Sequence, residues 1–278
     1  MFFHESSMKT MNYRIFALKL KTFDMKKNIF LLLALTLANF TFAQTRIIAH
    51  RGFHATQNSV RNSLSALKNA QDLNVYGSEC DINETSDGVL VVAHGPLHGT
   101  YHIQQTDFRT LRQQLLQNGE VLPTLDEYLD MAKRKTSTKL IIEIKDHSTP
   151  QRETEVVKKV LKAVKQHKLQ EHVEYIAFRQ HVCDELVALG PKGIKVAYLN
   201  GTLSPEYCKG LGYTGIDYSI KVMKKNPQWI QDSHLLGLTV NVWTVNQTED
   251  LQWCVDNGVD FITTDTPEEA IQIAEPKK

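Results

Sequence analysis

The stretch from Ile47 to Gly95, around which the rest of the chain is organised, begins IIAHRGFHATQNS and ends YGSECDINETSDGVLVVAHG. It carries two histidines, His50 and His94, and an acid pair, Glu79 and Asp81, each at the end of a strand-like apolar run. A buried strand that stops at polar residues delivers them to the edge of a sheet. Each motif alone is typical of a solvated strand end, but their occurrence together in one short stretch favours a functional site.

The residue types indicate the chemistry of that site. Glu79 and Asp81 are two residues apart, so in a strand their side chains share one face. Two like charges on one face repel unless a cation lies between them, which makes Mg²⁺ or Ca²⁺ the expected companion. Histidine exchanges a proton near neutral pH, and the planar guanidinium of Arg51 suits a phosphate or a carboxylate.

Beyond Gly95 the sequence alternates between strand-like and helix-like segments. The periodicity predicts helices over Asn58–Asn74 and from about Gln151 to Lys168, and a further helix with Pro123 in its first turn. Eight strands with helices between them predict an α/β fold, a TIM (β/α)8 barrel with a short insertion after the second strand region. A doubly wound open sheet is the alternative, but the glycine-rich dinucleotide fingerprint is absent from the sequence. The eight predicted strands are Arg46–His50, Gly77–Asp81, 140–145, Val173–Phe178, Lys195–Leu199, Gly215–Tyr218, Thr239–Thr244 and Asp260–Ile262, with 89–93 as an extra hairpin arm.

In a barrel, functional residues lie at the carboxyl ends of the strands. This rule adds Glu143 and Lys145, which share a strand face: Glu143 completes a nest of three carboxylates, and Lys145 supplies positive charge for a phosphate oxygen. An ion pair at a strand end is the plainer interpretation of these two residues alone. The full set of strand-end candidates is His50, Arg51, Glu79, Asp81, Glu143, Lys145, Phe178, Tyr218, Trp243 and Asp265.

The N-terminus has the pattern of a secretory signal peptide. Two lysines follow Met25, an apolar run begins at Ile29, and small residues precede Gln44, so we expect cleavage after Ala43. Residues 1–43 are therefore predicted to be a leader, with Met25 as an alternative start, and 44–278 to form one domain. The protein is expected to be exported, periplasmic or extracellular, with no stable membrane span once the leader is removed.

Charge and cysteine content exclude some partners. Positions 1–43 hold six of the 32 Lys and Arg residues and two of the 31 Asp and Glu residues, so the remainder has a net charge near −3. Nucleic-acid binding, which requires a strong basic excess, is not expected. The four cysteines match no zinc spacing and are expected to be mostly buried free thiols.

Together, these motifs resemble the glycerophosphodiester phosphodiesterase family, in family order across 46–270. The resemblance implies a TIM barrel with a small insertion (95–121), a divalent cation and a small-molecule phosphodiester substrate. It further implies that Glu79, Asp81 and Glu143 bind the metal and that His50 and His94 are catalytic. Arg51 and Lys145 are then the phosphate-binding cations, and Trp243 is a pocket wall. The matching motifs are His50-Arg-Gly, Glu79-Cys-Asp81, Thr85–His94, Leu122–Leu129, Ile142–Lys145, Val242–Asn246 and Thr264–Pro267.

Two positions depart from the family pattern: Gln57 replaces a carboxylate, and Gly95 replaces the aspartate that usually follows the second histidine. Three functions therefore stay open. The chain is expected to hydrolyse glycerophosphodiesters to glycerol 3-phosphate and an alcohol, by acid–base catalysis with two histidines. The alternatives are a related barrel phosphodiesterase acting on lysophospholipid or glycerophosphoinositol, and a non-catalytic binder of phosphorylated polyols. A large apolar patch at the mouth of the barrel would favour lysophospholipid.

Overall fold

The computed structural model describes residues 44–56 and 58–275. The predicted leader, with Met25 and Ala43, lies outside the described residues, as does Gln57. Eight parallel strands form a closed barrel, because the first strand pairs with the second on one side and with the last on the other. The TIM-barrel prediction is confirmed. The strands are β1 (Arg46–Ala49), β2 (Gly77–Glu84), β3 (Leu90–Val92), β4 (Leu97–His98), β5 (Tyr101–His102), β6 (Lys139–Ile144), β7 (Val173–Ala177), β8 (Val196–Tyr198), β9 (Gly215–Ser219), β10 (Thr239–Trp243) and β11 (Phe261–Thr264).

The eight parallel strands of the barrel wall are called its staves, and the other three strands are not part of the wall. β3 pairs antiparallel with the end of β2, as the predicted hairpin arm, and β4 and β5 form a small hairpin of their own. Helices follow most of the staves and cover the outside of the barrel. They are α1 (Leu64–Asp72), α2 (Phe108–Leu111), α3 (Leu125–Ala132), α4 (Pro150–Gln166), α5 (Gln180–Leu189), α6 (Pro205–Gly210), α7 (Ile220–Lys225), α8 (Gln228–Leu235), α9 (Thr248–Asp256) and α10 (Pro267–Ala274).

Side chains alternate between two apolar clusters along each stave, as the two-residue period of a strand requires. One set faces outward and packs against the helices in the larger core, as Val240 and Val242 do. The other set fills the inside of the barrel with a small apolar layer of five buried residues, Ile48, Ile141, Ile176, Leu199 and Phe261. Inward-facing polar side chains that come after this apolar layer in the chain therefore lie at the opening of the barrel where the strands end, its carboxyl mouth.

Two helix predictions need correction at their starts. The helix predicted over Asn58–Asn74 begins only at Leu64, because Asn58 and Asn62 adopt left-handed φ values of 63° and 62° that no helix contains. Pro123 is not in the first turn of its helix but precedes the cap. Thr124 caps that helix through a capping box with Glu127.

The insertion packs against the arm formed by β3. Leu111 is buried with Val91, Ile103 and Leu122 in a small separate core, whereas Leu115 is 61% exposed. The Glu120 carboxylate accepts backbone hydrogen bonds at the start of α1, which ties the insertion to the first loop.

Two further observations concern the whole described part of the chain. All four cysteines are buried and free, which confirms that prediction. None of the helices described in 44–275 combines the length and the apolar character that crossing a membrane demands.

Candidate functional site

Three buried carboxylates meet at the carboxyl mouth of the barrel. Glu79 and Asp81 come from β2 and Glu143 from β6, and β2 and β6 are neighbours whose register pairs Asp81 with Glu143. One ligand oxygen from each carboxylate lies within 4.8 Å of the others. Cys80, between the two β2 acids, faces outward into the helix-covered core, as the alternation of side chains along a strand requires.

The electrostatics of this nest fit a cation. Burial, followed by repulsion from Asp81 and Glu143, raises the pKa of Glu79 well above its usual range. Burial and Asp81 raise the pKa of Glu143 to about 7. Glu79 Oε1 is buried and has no hydrogen-bond partner among the described residues. Oxygen ligands, mutual repulsion and an unpartnered oxygen are what a hard divalent cation would satisfy.

Two cations border the nest. Although burial opposes its ionisation, Lys145 and Arg51 hold the pKa of Asp81 below its usual value. Lys145 Nζ lies 2.5 Å from Glu143 Oε1 and 3.3 Å from Asp81 Oδ1. Despite the opposing effect of burial, Glu143 and Asp81 raise the pKa of Lys145. Both cations therefore carry their charge where an anionic ligand would meet the metal site.

Arg51 occupies a strained backbone conformation, with φ at 55°. Left-handed φ costs a non-glycine residue roughly 1–2 kcal/mol, and two contacts to the nest offset it. Its backbone N–H donates to Glu79 Oε2 at 2.8 Å, and its Nε lies 3.1 Å from Asp81 Oδ2. The next residue, Gly52, also has positive φ, and a Cβ there would lie 2.6 Å from Ala66 of α1. The His-Arg-Gly motif is therefore a tight turn that needs glycine at position 52, because a side chain there would clash with Ala66.

His50 is oriented by an acid that follows the last strand of the barrel. Its Nδ1 donates to Asp265 Oδ1 at 2.8 Å, which leaves Nε2 for the pocket. Asp265 also accepts hydrogen bonds from His54 at 2.9 Å and from the Asn246 amide at 2.9 Å. Burial opposes ionisation of Asp265, yet the hydrogen bonds from His50 and His54 hold its pKa far below the usual range. Asp265 was among the strand-end candidates, and its contact with His50 gives it a positioning role.

His94 reaches the same pocket from the arm that follows β3. Its Nδ1 donates to the Gly95 carbonyl at 3.1 Å, and burial lowers its pKa. Gly95 has φ at 72°, and a Cβ there would lie 3.0 Å from the Asn83 amide. The positive φ and the close approach of Asn83 explain why this chain has glycine at position 95, where the family resemblance led us to expect aspartate.

A pocket with a volume of about 80 Å³ opens between the two histidines and the carboxylates. Trp243 forms part of its wall, with Phe178 edge-on at 5.5 Å between ring centroids, and Trp243 Nε1 donates to the Asp217 carbonyl at 2.9 Å. Lys145 Nζ lies 5.9 Å from the centre of the Phe178 ring. The lining residues are His50, Glu79, His94, Glu143, Lys145, Ile176, Phe178, Leu199, Asp217, Trp243, Thr244 and Thr263.

One strand-end candidate was wrong and two residues were missed. Tyr218 points outward, where its hydroxyl donates to the Leu203 carbonyl, and the residue before it, Asp217, faces the pocket instead. The register of β9 with β10, which pairs Asp217 with Asn241, gives Asp217 the same inward orientation as Trp243. Asn62 was also missed: its amide donates to Asp81 Oδ2 at 2.8 Å. Its position in a predicted helix concealed it. Gln57 lies outside the described residues, so its departure from the family pattern stays a sequence observation.

Two of the remaining histidines have structural partners. His98 is buried and its Nε2 donates to the Gln114 carbonyl at 2.7 Å. His147 is buried after β6, where its Nδ1 donates to the Lys145 carbonyl and its Nε2 accepts from the Glu84 backbone N–H. It holds the strand ends that carry Lys145 rather than facing the pocket.

Comparison with known proteins is consistent across sequence and structure. The sequence profile of the glycerophosphoryl diester phosphodiesterase family matches residues 50–269. A glycerophosphodiester phosphodiesterase of Caldanaerobacter subterraneus subsp. tengcongensis is 27% identical over 247 residues, which cover 83% of this chain and 98% of that protein.

Solved structures give the same result. The crystal structure of a glycerophosphodiester phosphodiesterase from Parabacteroides distasonis superposes with a TM-score of 0.82 at 44% identity, covering 83% of this chain and 97% of that one. An Oleispira antarctica phosphodiesterase, solved in complex with the product sn-glycerol-3-phosphate, has the same fold, with a TM-score of 0.72 at 21% identity over 83% of this chain and 96% of that one.

Proposed function

The chain belongs to the glycerophosphoryl diester phosphodiesterase family and is a phosphoric diester hydrolase, and from this we propose that it hydrolyses glycerophosphodiesters to glycerol 3-phosphate and an alcohol. The observation that carries the proposal is the meeting of a three-carboxylate nest, two cations and two histidines around one small pocket. Hydrolysis of an anionic diester requires neutralised non-bridging oxygens, a positioned nucleophile and a proton for the leaving alkoxide. The pocket supplies groups for each of these requirements.

The metal dependence is part of the proposal. Glu79, Asp81 and Glu143 would hold one Mg²⁺ or Ca²⁺, which when bound supplies Lewis-acid stabilisation of the phosphoryl oxygens. The side chains of this protein do the rest of the charge neutralisation. Arg51 and Lys145, which contact the carboxylates of the nest, would bind the phosphate oxygens.

The two histidines divide the proton transfers. Because its lowered pKa leaves His94 neutral near pH 7, we assign it as the general base that takes a proton from the nucleophile. His50, held by Asp265 with its Nε2 towards the pocket, is assigned as the acid that protonates the leaving alkoxide. Such a pair contributes roughly 10²–10⁴-fold per proton transfer. Trp243 and Phe178 exclude water from one side of the pocket.

The experiment is a turnover assay on the purified protein. Glycerophosphocholine, glycerophosphoethanolamine and glycerophosphoinositol are each incubated with Mg²⁺, Ca²⁺ or EDTA, and release of glycerol 3-phosphate is followed. Hydrolysis that requires a divalent cation is expected. His50→Ala and His94→Ala should each abolish turnover while the melting temperature stays close to that of the unsubstituted protein. Normal turnover by either variant would show that the substituted histidine is neither the acid nor the base.

One observation favours lysophospholipid as a second substrate class. A larger groove of about 630 Å³ lies beside the pocket, and His54 connects the two, since it lines the groove and shares Asp265 with His50. Leu97 and Leu115 are among the exposed apolar side chains of its wall. Hydrolysis of a lysophosphatidylcholine faster than of glycerophosphocholine, and its loss in Leu97→Asp, would establish this class. The groove is lined by His54, Ser59, Val60, Arg61, Leu97, His98, Gly99, Leu115, Leu116 and Gln117.

We propose in addition that the protein is exported. The support is the sequence of residues 1–43, with its lysines after Met25, its apolar run and its small residues before Gln44. Expression of the full-length gene in a bacterium, followed by N-terminal sequencing of the exported protein, should give Gln44 as the first residue. Recovery of uncleaved chain in the cytoplasm would contradict the proposal.

A further inference from the structure

Asp217 is a buried acid in the pocket that the proposed mechanism does not use. It lies on β9 with 1% of its surface exposed. Its chain neighbours Ile216 and Tyr218 face outward into the helix-covered core, so alternation turns the Asp217 side chain into the barrel, where it lines the pocket. An acid at such a position needs a partner.

The described residues leave one oxygen of this acid without a partner. Asp217 Oδ1 is buried and makes no hydrogen bond. The residue opposite on β10, Asn241, directs its amide to Thr263 Oγ1 at 2.8 Å. The Asn241 side chain is close enough to Asp217 to oppose the rise in its pKa, but it makes no hydrogen bond to Oδ1. Lys145 is within ion-pair distance of Asp81 and Glu143, and no ion pair to Asp217 is formed by any residue in 44–56 or 58–275. Because Asp217 lines the pocket, a ligand bound there is able to supply the missing partner.

That ligand is not the metal. The three acids whose oxygens approach within 4.8 Å of one another are Glu79, Asp81 and Glu143, and Asp217 is not in this group. Burial raises the pKa of Asp217 to about 8. A carboxylate can accept a hydrogen bond, and the protonated carboxyl that burial favours can also donate one. A hydroxyl group offers the complementary donor and acceptor.

The rest of the wall specifies what carries this hydroxyl. Ile176, Phe178, Leu199 and Trp243 are the large apolar lining residues, while His50, His94 and Lys145 are the lining residues that the proposed function assigns to the phosphate group. A volume of about 80 Å³ admits a short carbon chain. A phosphorylated polyol of about three carbons places its C–H edges on the aromatic rings and a hydroxyl at the acid.

We propose that Asp217 hydrogen-bonds a hydroxyl of the glycerol moiety and thereby makes the enzyme select hydroxyl-bearing phosphodiesters over alkyl ones. The proposal rests on the proposed function, since it assigns the glycerol 3-phosphate portion of the substrate to this pocket. Asp217 would then be a specificity residue that contacts substrate, without taking part in proton transfer to the reacting atoms.

Binding tests the inference separately from turnover. The affinities of the protein for sn-glycerol 3-phosphate and for n-propyl phosphate, which lacks both hydroxyls, are measured by calorimetry with Mg²⁺ or Ca²⁺ present. The unsubstituted protein should bind glycerol 3-phosphate roughly tenfold or more tightly than propyl phosphate, since a site built for a hydroxyl rejects the analogue without it. In Asp217→Leu the affinities for the two ligands should lie within about twofold of each other, chiefly because the variant binds glycerol 3-phosphate more weakly.

Two further variants control for structure. Asp217→Asn keeps a donor and an acceptor and should preserve the ratio within about threefold. Tyr218→Phe alters the next residue of the same strand on its outward face and should leave the ratio unchanged. Thermal melts confirm that each variant is folded before it is titrated. An unchanged ratio in a folded Asp217→Leu variant, or an equal loss for both ligands, would overturn the inference.

Turnover then separates the two proposals. Kinetics with glycerophosphocholine and propylphosphocholine should show the same loss of preference in kcat/KM. If the binding preference depends on Asp217 but no glycerophosphodiester is hydrolysed, the inference stands and the proposed function fails. If glycerophosphocholine is hydrolysed and no variant changes the preference, the proposed function stands and Asp217 has no part in selection.

Discussion

Replacing Asp265 by asparagine tests how the barrel prepares His50 for catalysis. The carboxylate accepts from His50 Nδ1 at 2.8 Å, and the neutral amide of the Asp265→Asn variant would lose this charge-assisted bond or reverse its polarity. A hydrogen bond to a charged group contributes about 1.5–3 kcal/mol. Since each 1.36 kcal/mol corresponds to a factor of ten in rate, we expect kcat for glycerophosphocholine to fall roughly 10- to 150-fold.

The assay is steady-state release of glycerol 3-phosphate, with kcat and KM determined separately at saturating divalent cation. The matched control is Asp260→Asn, because Asp260 makes a similar contact at 2.9 Å to His234 on the protein surface, away from the pocket. We expect a fall in kcat with little change in KM for the Asp265 variant, and unchanged kinetics for the control. A kcat within threefold of the unsubstituted protein would refute the positioning role of Asp265.

Three other predictions follow from the site. Asp265 has a depressed pKa in the folded protein, so its stabilisation is complete above the unfolded pKa of about 3.9 and is lost as the pH falls below it. The melting temperature of Asp265→Asn should therefore lie below that of the unsubstituted protein at pH 7, and the gap should narrow below about pH 4. Asn62→Ala removes the amide that holds Asp81 Oδ2 and should weaken divalent-cation affinity about 10- to 100-fold by calorimetry, whereas an unchanged affinity would show that Asn62 does not support the nest. Arg152→Ala removes an ion-pair partner that lies 2.5 Å from the fully buried Glu84 carboxylate. The free energy of unfolding, measured by urea titration, should fall by about 1–3 kcal/mol, and a fall of less than about 0.5 kcal/mol would contradict this prediction.

The strand-end rule succeeded where strand boundaries were clear in the sequence. Glu79, Asp81 and Glu143 could be placed together from the sequence alone, because a closed parallel barrel brings all carboxyl ends to one mouth. The same rule failed by one residue at β9. The segment Gly215–Tyr218 was predicted as a strand correctly, but which of Asp217 and Tyr218 faces inward depends on the register with β10.

The loop after β1 could not be predicted from periodicity. Apolar residues at helical spacing extend back to Val60, yet the helix begins at Leu64 because Asn62 adopts a left-handed conformation and turns its amide towards Asp81. A long-range hydrogen bond across 19 positions decides this local structure. Local propensity carries no information about a partner so distant in sequence.

The alternation of eight strands with helices could be inferred from the amino-acid sequence, and with it the barrel and the acids, cations and histidines at its mouth. Hydrophobic periodicity is local, so it is visible in the sequence without any tertiary information. Three contacts of the site could be seen only in the folded chain: Asp265 after the last stave orients His50 after the first, Asn62 holds Asp81, and Asp217 rather than Tyr218 enters the pocket. These pairings depend on strand register and barrel closure, which are set by packing of the whole chain and have no counterpart in any short segment.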